Sequence, residues 1–426
     1  MPVLDTRVPA VLLRTDRNPF HHGTLGAVRS LGRAGVDVHV IADSARSPVS
    51  RSRFVSALHP APPPDASPAD IAAALRRVAS ALHGPAVLIP MDDAGALAVG
   101  RTRDSLAPHY LLPRQPEALA ERVADKALLA GVCAEVDVPH PVTLMPDSAG
   151  RVTGAVRQLG LPVVAKWSRP WLLPPGTGLR STVLVHSARE AQALFERSGE
   201  AGSRLLLQAF LPETPDGDWF FHGYADRSGT TRAGGPGRKE RAWPRGAGLT
   251  VVGRWTPNPR VEALAERLVG ALGYRGILDL DFRRDAATGK YHLLDFNPRP
   301  GSQFRLFTDA SGLDVVRAQH LDLTDRPLPE RSPRPGRRFV VENYAPLTAL
   351  RRGRAGREAA WHARDDLGPA LAMWSLWPGH AARRLPPRGR RASAAPGPAD
   401  TGGLIVRQTT ASLPGSLTDD EKASSC

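Results

Sequence analysis

The run Gly276-Ile-Leu-Asp-Leu-Asp-Phe-Arg-Arg-Asp-Ala-Ala-Thr-Gly-Lys-Tyr-His-Leu-Leu-Asp-Phe-Asn-Pro-Arg-Pro-Gly301 leaves this chain little conformational choice. Residues 277–283 and 291–297 alternate side chains, and the stretch between them, with Thr288-Gly289, has turn chemistry, so the run predicts a β-hairpin. Such a hairpin sets Asp281 nearly opposite Asp295. Facing carboxylates on paired strands repel and destabilise a sheet unless a cation lies between them. Asn297, two residues beyond Asp295 on the same face, adds a neutral oxygen, and Asp279 on that face is an alternative first ligand. Three oxygen donors with room left for phosphate oxygens and water suit Mg²⁺ carried with a nucleotide, Mn²⁺ being the alternative. A solvated acidic face on an ordinary hairpin is the competing reading.

A chain of 426 residues can build two or three cores. No apolar run approaches the roughly 20 residues that span a bilayer. The first 14 residues, with Asp5, Arg7 and Pro9, lack the pattern of a secretory signal. Cys133 and Cys426 are far apart, which implies neither a disulfide framework nor a thiolate metal site and makes a reducing cytoplasm the expected compartment. The net charge of +14 would suit nucleic acid or an anionic membrane, but residues 331–391 hold 14 Arg against 4 acids, a surplus of 10. The basic character thus belongs to a C-terminal segment, and the body is not expected to bind a specific nucleic acid. Only five of 56 basic residues are lysine. Arg and Lys differ where a compact charge must sit beside phosphate, so the retained lysines merit individual attention.

Strand, helix and strand over 10–14, 23–31 and 36–42, then a helix at 71–82 and a strand at 86–90, predict a Rossmann-like parallel sheet. Gly23-x-x-Gly26 is either an anion-binding helix start or a tight turn. Asp92 and Asp93, just past the last of these strands, either meet a substrate amine or cap the next helix. His21-His22 alone are a poor metal site. From Pro116 a helix carries Asp125-Lys126. Strands at 161–166, 183–185, 205–210 and 219–224 and helices at 188–197 and 261–272 lead to the hairpin. Lys166 ends a strand just before the small-residue loop Gly176-Thr-Gly-Leu-Arg-Ser-Thr182, where close-approaching backbone N–H groups suit a phosphate.

The hairpin end Leu293-Leu-Asp-Phe-Asn-Pro-Arg299 resembles the metal-binding hairpin of the ATP-grasp superfamily, which usually closes in Glu-x-Asn-x-Arg; here Asp stands where Glu is commoner. The resemblance runs over about 10–325. It implies that Asp281, Asp295 and Asn297 hold the metal and that Lys126 and Lys166 meet ATP phosphates under a covering loop containing Gly176, Thr177, Gly178 and Ser181. It implies that the strand with Gln208, Ala209 and Leu211 reads adenine and that Asp218 binds ribose. Lys239 and Arg241, in a basic strand followed by Pro244 and Gly246, would contact phosphate and the acceptor, while Arg299 and Ser302 would hold a carboxylate or acyl phosphate. The segment 361–374 resembles a helical extension in the branch of carboxylate–amine ligases related to carbamoyl-phosphate synthetase and D-aspartate ligase.

The expected fold is therefore α/β: an N-terminal parallel-sheet domain (1–115), then an α+β ATP-grasp clamp of small lobe (116–200) and large lobe (201–330). A basic helical extension (331–384) and a disordered tail (385–426) follow. The expected activity is ATP-dependent ligation of small-molecule carboxylate and amine substrates through an acyl phosphate, with a homodimer allowed. A carboxylase or phosphoryl-transfer enzyme on the same clamp, and a basic nucleic-acid or membrane scaffold, are the alternatives.

Overall fold

Short apolar strands alternating with helices generate a parallel sheet at the N-terminus of the computed structural model, which describes residues 2–42, 47–174, 176–243, 248–350 and 356–384. Strands β1 (Ala10–Leu13), β2 (Val38–Ala42), β3 (Ala57–Pro60), β4 (Ala86–Pro90) and β5 (Tyr110–Leu111) lie in the order β3-β2-β1-β4-β5, all parallel. Every residue of β1 is buried, as helices on both faces of a parallel sheet require. The helix Pro68–Ala79 starts at a reciprocal Ser67/Asp70 capping box with Pro68 in its first turn. Gly23 and Gly26 serve packing. A Cβ at either would sit 3.0 Å from Ser302 Cα or 3.1 Å from Arg305 Cδ, so their absence lets the helix His22–Gly32 press against 302–305.

The second sheet is antiparallel: β6 (Thr143–Leu144), β7 (Val163–Trp167), β8 (Thr182–Val185) and β9 (Leu205–Ala209) in the order β6-β9-β7-β8. Its apolar face packs with Val152 and Val156 of the helix Ala149–Leu159 and Ala191 of the helix Ala188–Glu196.

The third sheet contains β10 (Asp218–Ala225), β11 (Thr231–Trp243), β12 (Leu249–Trp255), β13 (Gly276–Arg284), β14 (Tyr291–Asn297), β15 (Arg338–Val340) and β16 (Arg357–Ala359). Their order is β14-β13-β10-β11-β12-β15-β16. Alternation divides its two faces. Phe221, Leu278, Leu280 and Phe282 join the core with Val261, Ala265 and Leu268 of the helix Pro259–Leu272. Each such side chain contributes about 1.5–3 kcal/mol by leaving water. The opposite face holds the polar positions Asp218, Asp279, Asp281, Arg283, Asp295 and Asn297.

Two expectations change. The helix expected from Pro116 through Lys126 is two helices, Leu119–Ala124 and Lys126–Glu135, broken at Asp125, whose extended backbone (ψ 112°) and side chain cap the second. The segment expected to be helical after 331 also contributes β15 and β16 to the large sheet, since Phe339 and Val340 are apolar enough to extend its core. Beyond these strands, the Arg29 guanidinium on the first helix donates to Asp366 Oδ2 (2.8 Å), Asp366 O (2.8 Å) and Trp361 O (2.7 Å), all buried. Residues 385–426, expected to be disordered, lie outside the described residues, as do Pro244 and Gly246.

His22 is buried beside Phe339 and Trp361, with Nε2 lacking a hydrogen-bond partner. Burial, with His21 adding to it, pushes its pKa down to about 3. An unfolded imidazole protonates below about pH 6.5 while this one stays neutral, so the unfolded state binds the extra proton and stability falls as pH drops between those values. We expect His22→Leu to remove about 1.4 kcal/mol per pH unit from that acid-side slope, measured by urea unfolding between pH 6.5 and 4.5.

Candidate active site

Register brings the hairpin carboxylates together as its alternation predicts. Asp281 pairs with Asp295, and Asp279 with Asn297. A register slip follows between Asp281 and Phe282, leaving the facing pair at the regular end of the ladder.

Cations from three other elements converge on this pair. Lys126 opens the helix Lys126–Glu135, and the break at Asp125 sets it there: the Asp125 side chain accepts from Ala127 N (2.9 Å) and Arg169 Nε (2.7 Å), while Lys126 N donates to Ser168 O (2.9 Å). The Lys126 ammonium pairs directly with Asp295. Lys166, on β7 of the small sheet and only 6% exposed, donates to Leu294 O (3.1 Å) and lies 3.6 Å from Asp295. Lys239, on β11, pairs with Asp281 at 2.6 Å. Arg299, just past β14, joins Asp279 (3.0 Å) to Asp93 (3.1 Å) at the carboxyl end of β4.

Four cations, Lys126, Lys166, Lys239 and Arg299, thus stand among four carboxylates, Asp93, Asp279, Asp281 and Asp295. Burial alone would raise the Asp295 pKa, but the Lys126 and Lys166 ammoniums outweigh it and hold the carboxyl well below the usual range. Burial, reinforced by the Asp281 charge, pushes Asp279 up to about 7 against the pull of Arg299. Burial pushes Lys166 down, against the pull of Asp295. His222, facing Asp279 from β10 at 3.5 Å, is driven down to about 3 by burial and by the Arg299 and Lys239 charges, and is therefore neutral. Gly301 is required here: a Cβ would overlap the His222 ring and crowd Asp279.

The remaining expected residues divide. Gln208 is buried and donates to Thr143 Oγ1 (2.9 Å), Ala209 N donates to Val142 O (2.8 Å), and Leu211 O accepts from Arg283 Nη1 (3.1 Å). Asp218, expected to face ribose, is gripped by Arg283 through two contacts of 2.6 and 3.1 Å, each oxygen retaining a further lone pair. Gly176 and Gly178 adopt positive φ (86° and 73°) in the β7–β8 connection. Thr177 Oγ1 donates to Pro174 O (3.0 Å) and Thr177 O accepts from Arg197 (2.8 Å), while Ser181 O accepts from Trp167 N (3.2 Å). The loop is thereby held to the small sheet, and its end, where Thr182 pairs with Lys166 across β7 and β8, lies beside that lysine. Arg241 lies exposed, beyond a register slip after Lys239.

Asp92 turns out to be a cap: it accepts from Gly95 N (2.7 Å) and Thr15 Oγ1 (2.8 Å), leaving Asp93 to Arg299. Sequence reasoning missed His222 and Arg283. Arg283 was recoverable, because β10–β13 register places it opposite Asp218; His222 carries no signal outside its alternation.

The donor set suits a hard divalent cation. Asp281, Asp295 and Asn297 offer only oxygen, and Asn297 turns its Nδ2 toward Asp279 (3.3 Å), freeing its carbonyl oxygen from that contact. Among the described residues no group of three or more His, Cys, Asp or Glu side chains forms a ready metal cage. A few protein oxygens completed by phosphates and water are characteristic of Mg²⁺.

A parallel-sheet domain followed by an antiparallel small sheet and a larger one, with lysines from both meeting a hairpin carboxylate pair, is the ATP-grasp architecture. No family model matches the chain. It is 25% identical over 240 residues to a D-aspartate ligase of Enterococcus faecium (strain Aus0004), covering 54% of this chain and 57% of that protein, so it spans little more than half of that relative. Among solved structures it resembles N5-carboxyaminoimidazole synthetase from Staphylococcus aureus complexed with ADP (TM-score 0.60, 12% identity, 79% of this chain and 82% of the other). It also resembles an L-amino acid ligase from Bacillus licheniformis (TM-score 0.56, 14% identity, 75% of each chain). These likenesses to solved structures show that the chain has the ATP-grasp fold.

Proposed function

We propose that this chain is an ATP-dependent carboxylate–amine ligase. The observation that carries the reading is the convergence of Lys126, Lys166 and Lys239 on Asp281 and Asp295, beside an arginine that reaches the edge of the N-terminal sheet. A triphosphate entering the cluster takes the lysines from their carboxylates and frees Asp281 and Asp295, with Asn297 beside them, for a cation. Mg²⁺ bound there would neutralise phosphate charge, and Mn²⁺ would find the same oxygens.

The small lobe, near 116–200, and the large lobe, near 201–330, would close on ATP between them. Lys126 and Lys166 would meet phosphate oxygens as point charges, Gln208, Ala209 and Leu211 would border the base, and Asp218 would receive ribose hydroxyls beside Arg283. Closure of the 176–181 loop would exclude water. Arg299 would exchange its carboxylate partners for the substrate carboxylate. A substrate carboxylate oxygen attacks the γ-phosphorus and ADP departs, giving an acyl phosphate. The amine nitrogen then bonds to the acyl carbon, phosphate leaves, and the amine's surplus proton passes to phosphate or solvent.

The similarity to a D-aspartate ligase and to an L-amino acid ligase supports amino-acid-like substrates. A panel of amino acids and amines, scored for ATP-dependent phosphate release with mass spectrometry of the product, tests this. We expect an amide product, and a hydroxamate when hydroxylamine replaces the amine. Phosphate release with bicarbonate and no carboxylate activation would instead establish a carboxylase.

A further inference from the structure

Strand order β3-β2-β1-β4-β5 sends the chain from β1 to β2 on one side, while β4 lies on the other. Parallel strands that part in this way open a crevice beyond their carboxyl ends. Arg14, Thr15 and Asp16 follow β1 there, and Asp92 and Asp93 follow β4. Thr15 Oγ1 (2.8 Å) and Asp16 N (3.0 Å) donate to Asp92 and tie the two ends together. A third element joins them at Gly23. A Cβ there would stand 3.2 Å from the His21 ring and 3.3 Å from Ser302 Oγ, so the start of the first helix closes on the segment that follows Arg299.

Polar groups of both kinds are open in this crevice. Asp16 Oδ1 accepts from Asn18 N (2.7 Å), but Asp16 Oδ2 accepts no hydrogen bond among the described residues, and the side chain is 34% exposed. Arg14 Nε lies 3.6 Å from Asp16 Oδ1, beyond hydrogen-bond reach, and Arg14 Nη1, on a side chain only 1% exposed, has no partner. His21 Nδ1 accepts from Thr24 N (3.1 Å), and burial, with the Arg14 and Arg299 charges adding to it, pushes the His21 pKa down to about 3. The ring is therefore neutral and carries its proton on Nε2, which lies 3.9 Å from Asp16 Oδ2. A phosphate would satisfy the donors but face Asp16 and Asp93. A simple amine would satisfy those carboxylates but face Arg14 and Arg299. An amino acid carries both charges. The pair of Arg299 with Asp93 (3.1 Å) adds a condition, because this inference rests on the ligase reading above, in which Arg299 turns to the substrate carboxylate. Asp93 then loses its cation, and an ammonium on the same substrate replaces it. We propose that the crevice between β1 and β4 selects a carboxylate substrate that is itself an amino acid, its ammonium held between Asp16 and Asp93 while its carboxylate meets Arg299.

A hydroxamate assay on the full chain with ATP, Mg²⁺ and hydroxylamine tests the proposal, the carboxylate being each common amino acid in both enantiomers and its des-amino counterpart. The same amino acids are titrated by calorimetry with Mg²⁺ and a non-hydrolysable ATP analogue present. We expect at least one amino acid to be activated with kcat/KM about tenfold or more above its des-amino counterpart. Asp16→Asn keeps an acceptor for Asn18 N and removes only the charge, so KM and the calorimetric Kd for that amino acid should rise about tenfold or more. An unchanged Tm and KM for ATP would verify that the variant is folded with its clamp intact. Des-amino acids used as well as amino acids, no amino acid bound in the calorimeter, or an unchanged KM and Kd in folded Asp16→Asn overturns the proposal, the last leaving Asp16 as a turn residue only. Hydroxamate from no carboxylate at all refutes the ligase reading instead, and amino-acid binding that Asp16→Asn weakens would still assign the crevice.

Discussion

Asp295→Asn is expected to lower ATP-dependent turnover by about two to three orders of magnitude, because in the proposed site it removes one of the two charges that would hold a cation against the transferring phosphate. The substituted amide keeps the size of the side chain and can still accept from Lys126 and Lys166, so folding should change far less than activity. Alanine is the poorer choice. It would leave both ammonium groups, one of them only 7% exposed, facing each other with no anion between, which costs stability of its own. Phosphate release and Mg²⁺-dependent ATP binding, measured on protein with an unchanged melting temperature, separate the two effects. Wild-type turnover in Asp295→Asn would remove the metal assignment from the hairpin.

Asp366→Ala is expected to lower the unfolding free energy by about 3–5 kcal/mol, although it touches none of the chemistry. Asp366 accepts from Arg29 Nε (2.8 Å), Ser52 Oγ (2.7 Å) and Arg53 N (2.9 Å), and both charged side chains of the pair are no more than 3% exposed. Removing the acid strands a buried guanidinium, and that unpaired charge is the main cost. The adjacent pair is the control: Arg33 and Asp365 are 26% and 48% exposed, so Asp365→Ala should cost no more than about 1 kcal/mol. Urea unfolding of the two variants distinguishes the cases. Similar losses from both would show that Asp366 acts as an ordinary surface charge.

Much of this architecture was legible because it depends on periodicity. Strand β4 begins and ends where its short apolar run does and β14 where alternation and its flanking turn place it, and the facing of Asp281 and Asp295 followed from counting positions across one turn. The break at Asp125 was not legible. Residues 116–135 form an apolar pattern that reads as one helix, and only Arg169, 44 residues away, and the Ser168 carbonyl make the interruption favourable. Likewise β15 and β16 are three residues each and have too little local pattern to declare themselves; β15 pairs with β12, far upstream, and β16 only with β15. In the site, the lysines stood out because an arginine-rich chain retained them. Their existing partners did not stand out, since a one-dimensional pattern does not reveal which acid a long side chain reaches. For the same reason Asp218 read as an open carboxylate, whereas Arg283 already holds it.

The Arg29 contact joins residues 337 positions apart. Synthesis from the N-terminus therefore completes the first helix long before its clasp leaves the ribosome, and a guanidinium destined for burial waits in water while the intervening residues are made. Completion of the packing around the first helix is tied to the arrival of the later Asp365-Asp366 segment. A premature stop a few residues before Asp366 would release a chain with every lysine and carboxylate of the cluster but without the anion that pairs with the buried Arg29. Such a product should be cleared by proteolysis and leave no stable partial enzyme.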